Sequence, residues 1–382
     1  FREAFRMSLP LDGILVVSME QAVAGPFCSN RLKYAGARVI KIERKDGGDF
    51  ARGYDTAAEG ESSYFTWLNQ GKESIALDLK TKCDRRIFLK MIAKADIFIQ
   101  NFSPTTVTKL NIESSNLKSI NPRLICCDIS GYGEAPEMMK KKSYDLLIQA
   151  ESGLIDVSGS PEGIGRIGVS ICDIGAGMSA HAGILESLLL RERFHEVRDI
   201  KISLFDVAAD WMTVPYIHSK YGGAAPKRVG LKHPSIAPYG AFLCSENTNF
   251  IISIQNELEW ERFCLDVLKT PTLAKENKFS SNTLRVKNRD LLDETIQSIL
   301  ISLTDETLQN RLEDASIAYG RLNSVKDLER HLALKKISVR NSLNDILTIP
   351  SPPLIWDNSG KKAPKFNQHN EQLRKEFNDA KK

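Results

Sequence analysis

The 382-residue chain predicts an α/β protein, with a Rossmann-like doubly wound large domain and a smaller α+β domain. Three observations carry that expectation. Strand-like runs alternate with helical patterns through the first half. Those runs are nearly apolar from end to end, as strands are when helices cover both faces of their sheet. The length exceeds one ordinary core and points to two domains.

The elements follow in order. Residues 13–19 (GILVVSM) form the first β-rich run. Gln21-Ala22-Val23-Ala24-Gly25-Pro26 leads into a helix whose first turn suits Pro26, since the missing N–H has no partner there anyway. That helix closes near Gly36, and 38–43 (RVIKIE) is the second strand. Another strand is expected at 74–79. Phe88, Met91, Ile92 and Ala95 then recur at i, i+3, i+4 and i+7, with Arg85, Arg86, Lys90 and Lys94 on the remaining positions of an amphipathic helix. Two further apolar strands occupy 96–102 and 123–129. Asp173 opens a long helix marked by Ile174, Met178, His181, Leu185 and Leu188, and 201–207 (KISLFDV) is expected as a strand. A Gly-rich loop at 221–226 changes the character of the chain. Beyond it, 250–254 reads as a strand and 288–300 as a helix of the smaller domain. The Pro- and Lys-rich tail from Ile349 is expected to pack over the outside.

Composition excludes several classes. The formal charge of +4 is no basic stripe of the kind that grips nucleic acid. Seven cysteines at 28, 83, 126, 127, 172, 244 and 264 are odd in number and mostly sit in apolar runs, so they read as free buried thiols in a reducing compartment. Six histidines show no zinc-ligand spacing, and no metal is expected. No apolar run approaches the ~18 residues of a membrane span. The protein is expected to be cytoplasmic.

The first β–α turn offers only Ala24-Gly25-Pro26, so the dinucleotide-binding G-x-G-x-x-G pattern is absent. A P-loop, a G-x-S-x-G elbow and an H-E-x-x-H pair are absent too. Two segments stand out. In 36–52, a strand ends on Arg44 and runs into Gly47-Gly48-Asp49 and Arg52, where open α/β sheets bind ligands. Arg44 could hold a phosphate through two parallel hydrogen bonds; a solvated charge cluster fits the same run. In 163–177 (GIGRIGVSICDIGAG), Asp173 stands alone among small and apolar residues at a helix start. It fits an N-cap. It also fits a carboxylate nucleophile kept anionic by helix-end N–H groups, with room for a bulky thioester.

Taken together these segments resemble the family III CoA transferases, the CaiB/BaiF family, from Leu11 to about Lys375. The resemblance is carried by Leu11-Asp12-Gly13, Ala24-Gly25-Pro26, Gly36-Ala37 with 39–43, Gly48-Asp49, Tyr64-Phe65, Asn69 with Lys72 and Ser74, and 77–80. It continues through Ala95-Asp96, Asn101-Phe102, Gly131-Tyr132-Gly133, Tyr144-Asp145, Ser152-Gly153, Asp173 with Gly177, and 233–239 (HPSIAPY). It implies a large Rossmann-like domain built from both chain ends (1–222 and 326–382), a small domain at 223–325, and an interlocked ring homodimer. The active site would lie between the large domain of one chain and the small domain of its partner.

The resemblance further implies that Asp173 attacks an acyl-CoA thioester to give a mixed anhydride, then an aspartyl-CoA thioester that a free acid takes over. No permanent cofactor is implied; CoA and acyl-CoA are substrates, with a small carboxylic acid as acceptor. For CoA the matching positions are Ala22, Val23, Ala24, Arg44, Leu77, Lys80, Asn101, Phe102, Lys109, Lys142 and Tyr144. Lys109 keeps the charge of an Arg found in some members but not its fork. Val23 stands where formyl-CoA enzymes carry Gln, which argues against formyl and oxalate substrates. Tyr144 stands where the family's racemases carry His, and a phenol with a pKa near ~10 is a poor base for an α-proton. Asp145 would orient Asp173 or the acceptor, or serve structure alone. His181 reads as a core or interface residue, and His233 as a loop residue of the small domain. The stretches 144–149 and 159–162 look most like the branch handling succinyl-CoA and C5 dicarboxylates. The alternatives are an acyl-CoA racemase of the same fold and a non-catalytic CoA-binding protein.

Overall fold

The computed structural model describes residues 8–356 and 361–378. Their chain divides into two compact units. The first takes the chain up to Leu154, Ile167–Thr213 and the chain from Lys335; the second takes Ile155–Arg166 and Val214–Leu334. The sequence placed the changes at 222/223 and 325/326. Here they fall nine residues earlier and nine later, and a short piece from the first half joins the second unit.

In the first unit β1 (Leu15–Met19) leads to α1 (Ala24–Tyr34), then β2 (Arg38–Glu43), α2 (Ser63–Leu68), β3 (Glu73–Ala76) and α3 (Lys82–Ile92). There follow β4 (Ile97–Gln100), α4 (Pro104–Leu110), α5 (Ser114–Lys118), β5 (Ile125–Ser130) and α6 (Asp145–Glu151). Next in the chain come α7 (Leu154–Val157) and the two-residue strands β6 (Gly159–Ser160) and β7 (Gly163–Ile164). The long α8 (Ile171–Phe194), β8 (Ile200–Ser203) and α9 (Leu204–Trp211) return to the first unit. Six strands form one parallel sheet in the order β3-β2-β1-β4-β5-β8. That is the doubly wound order with its switch point between β1 and β4, and ligands bind such sheets outside the carboxyl ends of the strands. Two apolar layers cover the sheet. One joins Val16, Val39, Ile97 and Ile125 to α1 and α8, the other joins Val17, Ile40, Ile75 and Phe98 to α3.

Three elements differ from expectation. The strand expected at 201–207 stops at Ser203, whose hydroxyl accepts the Asp206 N–H and starts α9. An N-cap of that kind outweighs the β-propensity of the following apolar residues. In α8 the expected stripe is buried only at Leu188. Met178 and Leu185 are exposed, while Gly175, Ala176, Gly177, Ala180 and Ile184 face the core. Finally, the tail does more than cover the outside. Leu373 and Phe377 of its last helix are fully buried beside Phe88 and Met91, and Arg38 grips Glu376 through two bonds of 2.6 and 2.7 Å.

The second unit begins its long run at Val214, the second residue of α10 (Thr213–Tyr221). Its antiparallel sheet contains β9 (Tyr239–Leu243) and β10 (Asn249–Ser253), followed in the chain by α11 (Glu257–Arg262), α12 (Asn282–Lys287), α13 (Arg289–Leu300) and α14 (Asp305–Asp314). The third strand, β11 (Ala318–Arg321), lies beside β10. The core gathers Phe242, Phe250, Trp260, Phe263, Ile296 and Leu308. The Gly159–Ile164 hairpin is fastened here, because Gly230 N–H donates to Gly159 and Arg228 donates to Ser160 and Asp156. Arg289 and Asn282 hold the 233–237 backbone, and His233 stacks on Tyr239 at 5.4 Å.

Candidate active site

The turn after β1 is held by Asn101 and Asp49. Asn101 clamps Gln21 by accepting its N–H and donating to its carbonyl, both at 2.8 Å. Ala22 follows with φ of +60°, a left-handed conformation that costs a non-glycine residue about 1–2 kcal/mol. Asp49 offsets that cost, since its Oδ1 accepts the Ala22 N–H at 3.1 Å and the Ala51 N–H at 2.9 Å. Gly25 is required beyond the turn, because a Cβ there would lie 2.9 Å from that of Glu20.

Behind the turn lies a buried ionic network. Lys41, in the middle of β2, donates to Asp49 at 2.8 Å and to the Glu20 carbonyl at 3.2 Å. Lys72 donates to Glu20 at 2.6 Å and to the Pro26 carbonyl at 3.1 Å. Arg52 grips both Glu43 oxygens at 2.8 Å. Burial would raise the Glu20 carboxyl, but Lys72 and Lys41 outweigh it and hold it below its ordinary value. Burial pushes the Lys72 ammonium down to about 8 despite the Glu20 carboxylate. The Glu43 carboxyl, raised by burial but lowered more by Arg52, falls to about 2. A network of this kind adds little net stability and confers rigidity at the loop it supports.

Outside the carboxyl ends of β1 to β4 opens a cavity of about 520 Å3, lined among others by Gln21, Arg44, Asp49, Leu77, Lys80 and Phe102. Four of the sequence-selected residues therefore meet there: Arg44, Leu77, Lys80 and Phe102. Arg44 donates to the Gly48 carbonyl through two nitrogens at 3.2 Å, which fixes its stem at the rim. Ala22, Val23 and Ala24 belong to the adjoining turn. Val23 is 2% exposed and packs on Phe27 and Leu68, so it offers backbone rather than side chain. Among the described residues no acceptor meets the N–H groups of Val23, Ala24 and Gly25 at the start of α1. Asn101 spends its amide on Gln21. Lys109 and Lys142 are exposed and outside the cavity lining.

Asp173 is the third residue of α8, not its N-cap. Ser170 takes that position without a side-chain bond, and the helix start is satisfied by Asp145 instead. The buried Asp145 Oδ1 accepts the Cys172 N–H at 2.7 Å and the Asp173 N–H at 3.3 Å. Its Oδ2 accepts Gln149 Nε2 at 2.7 Å. The expectation that helix N–H groups keep Asp173 anionic is thus corrected. Burial first, and then the Asp145 carboxylate, push its carboxyl up to about 7.

The next residue, Ile174, packs against the cluster of Val23, Phe27 and Leu68, as do Ala22, Tyr64 and Trp67, and Gly177 lets α8 approach α1, since a Cβ would lie 2.7 Å from the Ala24 carbonyl oxygen. The nucleophile candidate is therefore next to the first turn of α1. Tyr54 lies 5.5 Å from Tyr64, ring to ring. Its phenol is pushed up to about 12 by burial and by the charges of Asp49, Asp173 and Tyr144. Tyr144 itself is 58% exposed. His181 faces Arg31, and burial lowers its imidazole.

The sequence reading missed Gln149 and the roles of Glu20, Lys41 and Lys72. A lysine at the centre of the apolar run RVIKIE was the available signal, for a buried charge requires a partner. Among the described residues no cluster of three His, Cys, Asp or Glu could hold a metal, and no helix is long and apolar enough to cross a membrane.

The sequence profile described as CoA-transferase family III matches residues 11–370. The chain is similar to an acetyl-CoA:oxalate CoA-transferase of Acetobacter aceti, 33% identical with 96% of each chain covered. It is 29% identical to the succinyl-CoA:glutarate CoA-transferase of Mus musculus, covering 96% of this chain and 86% of that one. Its fold is similar to the crystal structure of a CAIB/BAIF family protein from Brucella suis, with a TM-score of 0.82, 29% identity, and 97% and 99% of the two chains covered.

Proposed function

The chain belongs to CoA-transferase family III, the CaiB/BaiF family, and is a CoA transferase; on that premise we propose that it moves CoA from a short dicarboxylic acyl-CoA to a free dicarboxylic acid through covalent intermediates on Asp173. The observation that carries the mechanism is the Asp173 carboxyl itself. It lies partly buried beside Asp145 and against the start of α1, with a proton affinity lifted to about 7. A carboxylate so placed is more basic than an ordinary aspartate yet substantially ionised at neutral pH, which suits a nucleophile.

The steps balance without metal or ATP. An Asp173 oxygen attacks the thioester carbonyl; the C–S bond breaks, leaving a mixed anhydride and CoA thiolate. The thiolate attacks the aspartyl carbonyl and expels the donor acid, giving an aspartyl-CoA thioester. The acceptor carboxylate then displaces thiolate from that thioester. Thiolate returns to the acceptor carbonyl, and Asp173 is regenerated. The free N–H groups of Val23, Ala24 and Gly25 support stabilisation of the tetrahedral oxyanions.

Arg44, Lys80, Leu77 and Phe102 are proposed to hold CoA in the cavity. Lys109, Lys142 and Tyr144 would meet it from the surface. The succinyl donor is preferred because one relative is a succinyl-CoA enzyme, and the two relatives' acceptors, oxalate and glutarate, share two carboxylates. Val23 points into the core, so its identity does not argue against oxalate as an acceptor. Tyr144 in place of a histidine disfavours the racemase reading. The enzyme is further read as a cytoplasmic homodimer, interlocked as in the resemblance.

The test is transfer from succinyl-CoA to a panel of free acids including oxalate and glutarate, with intact-mass analysis of the protein before acceptor is added. A CoA-sized adduct on Asp173, absent from Asp173→Ala together with transfer, is expected. Transfer that survives Asp173→Ala overturns the mechanism, and α-proton exchange in deuterium oxide without transfer would favour the racemase.

A further inference from the structure

Gln149, in the second turn of α6, is wholly buried. A buried amide is costly unless its polar atoms are met, and here they are met by one particular set of groups. Nε2 donates to Asp145 Oδ2 at 2.7 Å and to the Ile167 carbonyl at 3.3 Å, while Oε1 accepts the Ile167 N–H at 3.0 Å. Ile167 is where the chain re-enters the first unit. Asp145 passes the connection on through the N–H groups of Cys172 and Asp173. Both Asp145 oxygens accept, Oδ1 from Cys172 and Asp173 and Oδ2 from Gln149, which holds the carboxyl in one orientation.

We propose that Gln149 is a positioning residue for Asp173: by anchoring Asp145 to the returning backbone at Ile167, it fixes the first turn of α8 and keeps a negative charge beside the nucleophile. This rests on the reading of Asp173 as nucleophile. A methionine would fill the same volume but could neither donate to Asp145 nor clasp Ile167. The other titratable groups around this site are Cys172 on α8 itself, Tyr144 at the start of α6, and Tyr54 and Tyr64 from the preceding loops. On α1, Arg31 acts on His181 further along α8; on α9, Asp206 is tied to Ser203. Asp145 is the charge that acts on Asp173.

The experiment compares wild type, Gln149→Met, Gln149→Glu and Asp145→Asn. It reads the pH profile of kcat, the KM for succinyl-CoA, and the Asp173 carboxyl titration by 13C NMR of aspartate-labelled protein, assigned by difference from Asp173→Asn. Gln149→Met is expected to lower kcat about 10- to 100-fold with KM unchanged, as loss of orientation does. Its Asp173 titration should move up in pH, because an Asp145 anion stripped of a donor is less compensated. Gln149→Glu should move it further, by about one unit, since it adds a like charge. Asp145→Asn should move it down. Should Gln149→Met fail to fold, the Gln149→Glu and Asp145→Asn pair still reads the two opposite directions. Variants that lose only thermal stability while kcat and the titration stay at wild-type values overturn the proposal. Transfer that persists in Asp173→Ala instead overturns the nucleophile reading, and the NMR shifts then score the coupling by itself.

Discussion

At the scale of single residues, the protonation of Asp173 is expected to bear on both the proposed activity and stability. Its carboxyl titrates near 7 in the folded chain, against about 3.9 for an unfolded aspartate. The folded state therefore binds the proton more readily between those values, and stability falls as pH rises through that window. Asp173→Asn removes the penalty. The variant is expected to be more stable than wild type at pH 8, by of order 1 kcal/mol, and to lose that advantage at pH 4. Melting temperatures at the two pH values check it; equal differences at both would contradict the raised carboxyl. Activity should run the other way, rising through pH 7 as the nucleophile ionises. Lys41, Lys72 and Glu20 show the complementary case, charges kept ionised by one another behind the turn they hold. A sequence shows that Lys41 interrupts an apolar strand. It cannot show that Asp49, eight residues on, folds back to meet it.

At the scale of elements, local signals served well where packing agreed with them. β2 spans 38–43 as expected, and α3 buries Phe88, Met91 and Ile92. They misled in α8, whose larger apolar side chains suggested the wrong buried face. The first half of the helix is buried through small residues because α1 crosses it closely at Gly177, and a wide side chain has no room there. Gly177→Val tests this. Its branched side chain would meet the Ala24 carbonyl and Phe27, costing about 1–3 kcal/mol. Because the same contact sets the first turn of α1 beside Asp173, transfer activity should fall even in the population that remains folded. A melting temperature within a degree of wild type would show that the crossing tolerates the change.

At the scale of the whole molecule, α10 is informative. None of its residues is buried, and Val214, Tyr216, Ile217 and Tyr221 are all exposed. Met178, Leu185 and Leu189 leave α8 with an exposed apolar face as well. Apolar surface of this extent commonly marks an association site, and it supports the dimer proposed above. Light scattering on the purified chain should return twice the 42.7 kDa of one chain at micromolar concentration. A concentration-independent monomer would sink the dimer and require another role for α10.

The order of strands and helices in the first unit, the parallel sheet, and the singular position of Asp173 were legible in the residues, because hydrophobic period and turn chemistry are local properties of a chain. The absence of a glycine fingerprint was legible for the same reason. What only the tertiary structure decided is which charges meet. Asp145 and Gln149 precede Asp173 by more than twenty residues, yet Gln149 donates to Asp145 and Asp145 accepts from the first turn of α8, and burial together with the Asp145 carboxylate raises the proton affinity on which the proposed chemistry depends. Burial and the proximity of a second carboxylate are properties of the folded interior, where the low dielectric makes a spatial partner matter more than any neighbour in the sequence.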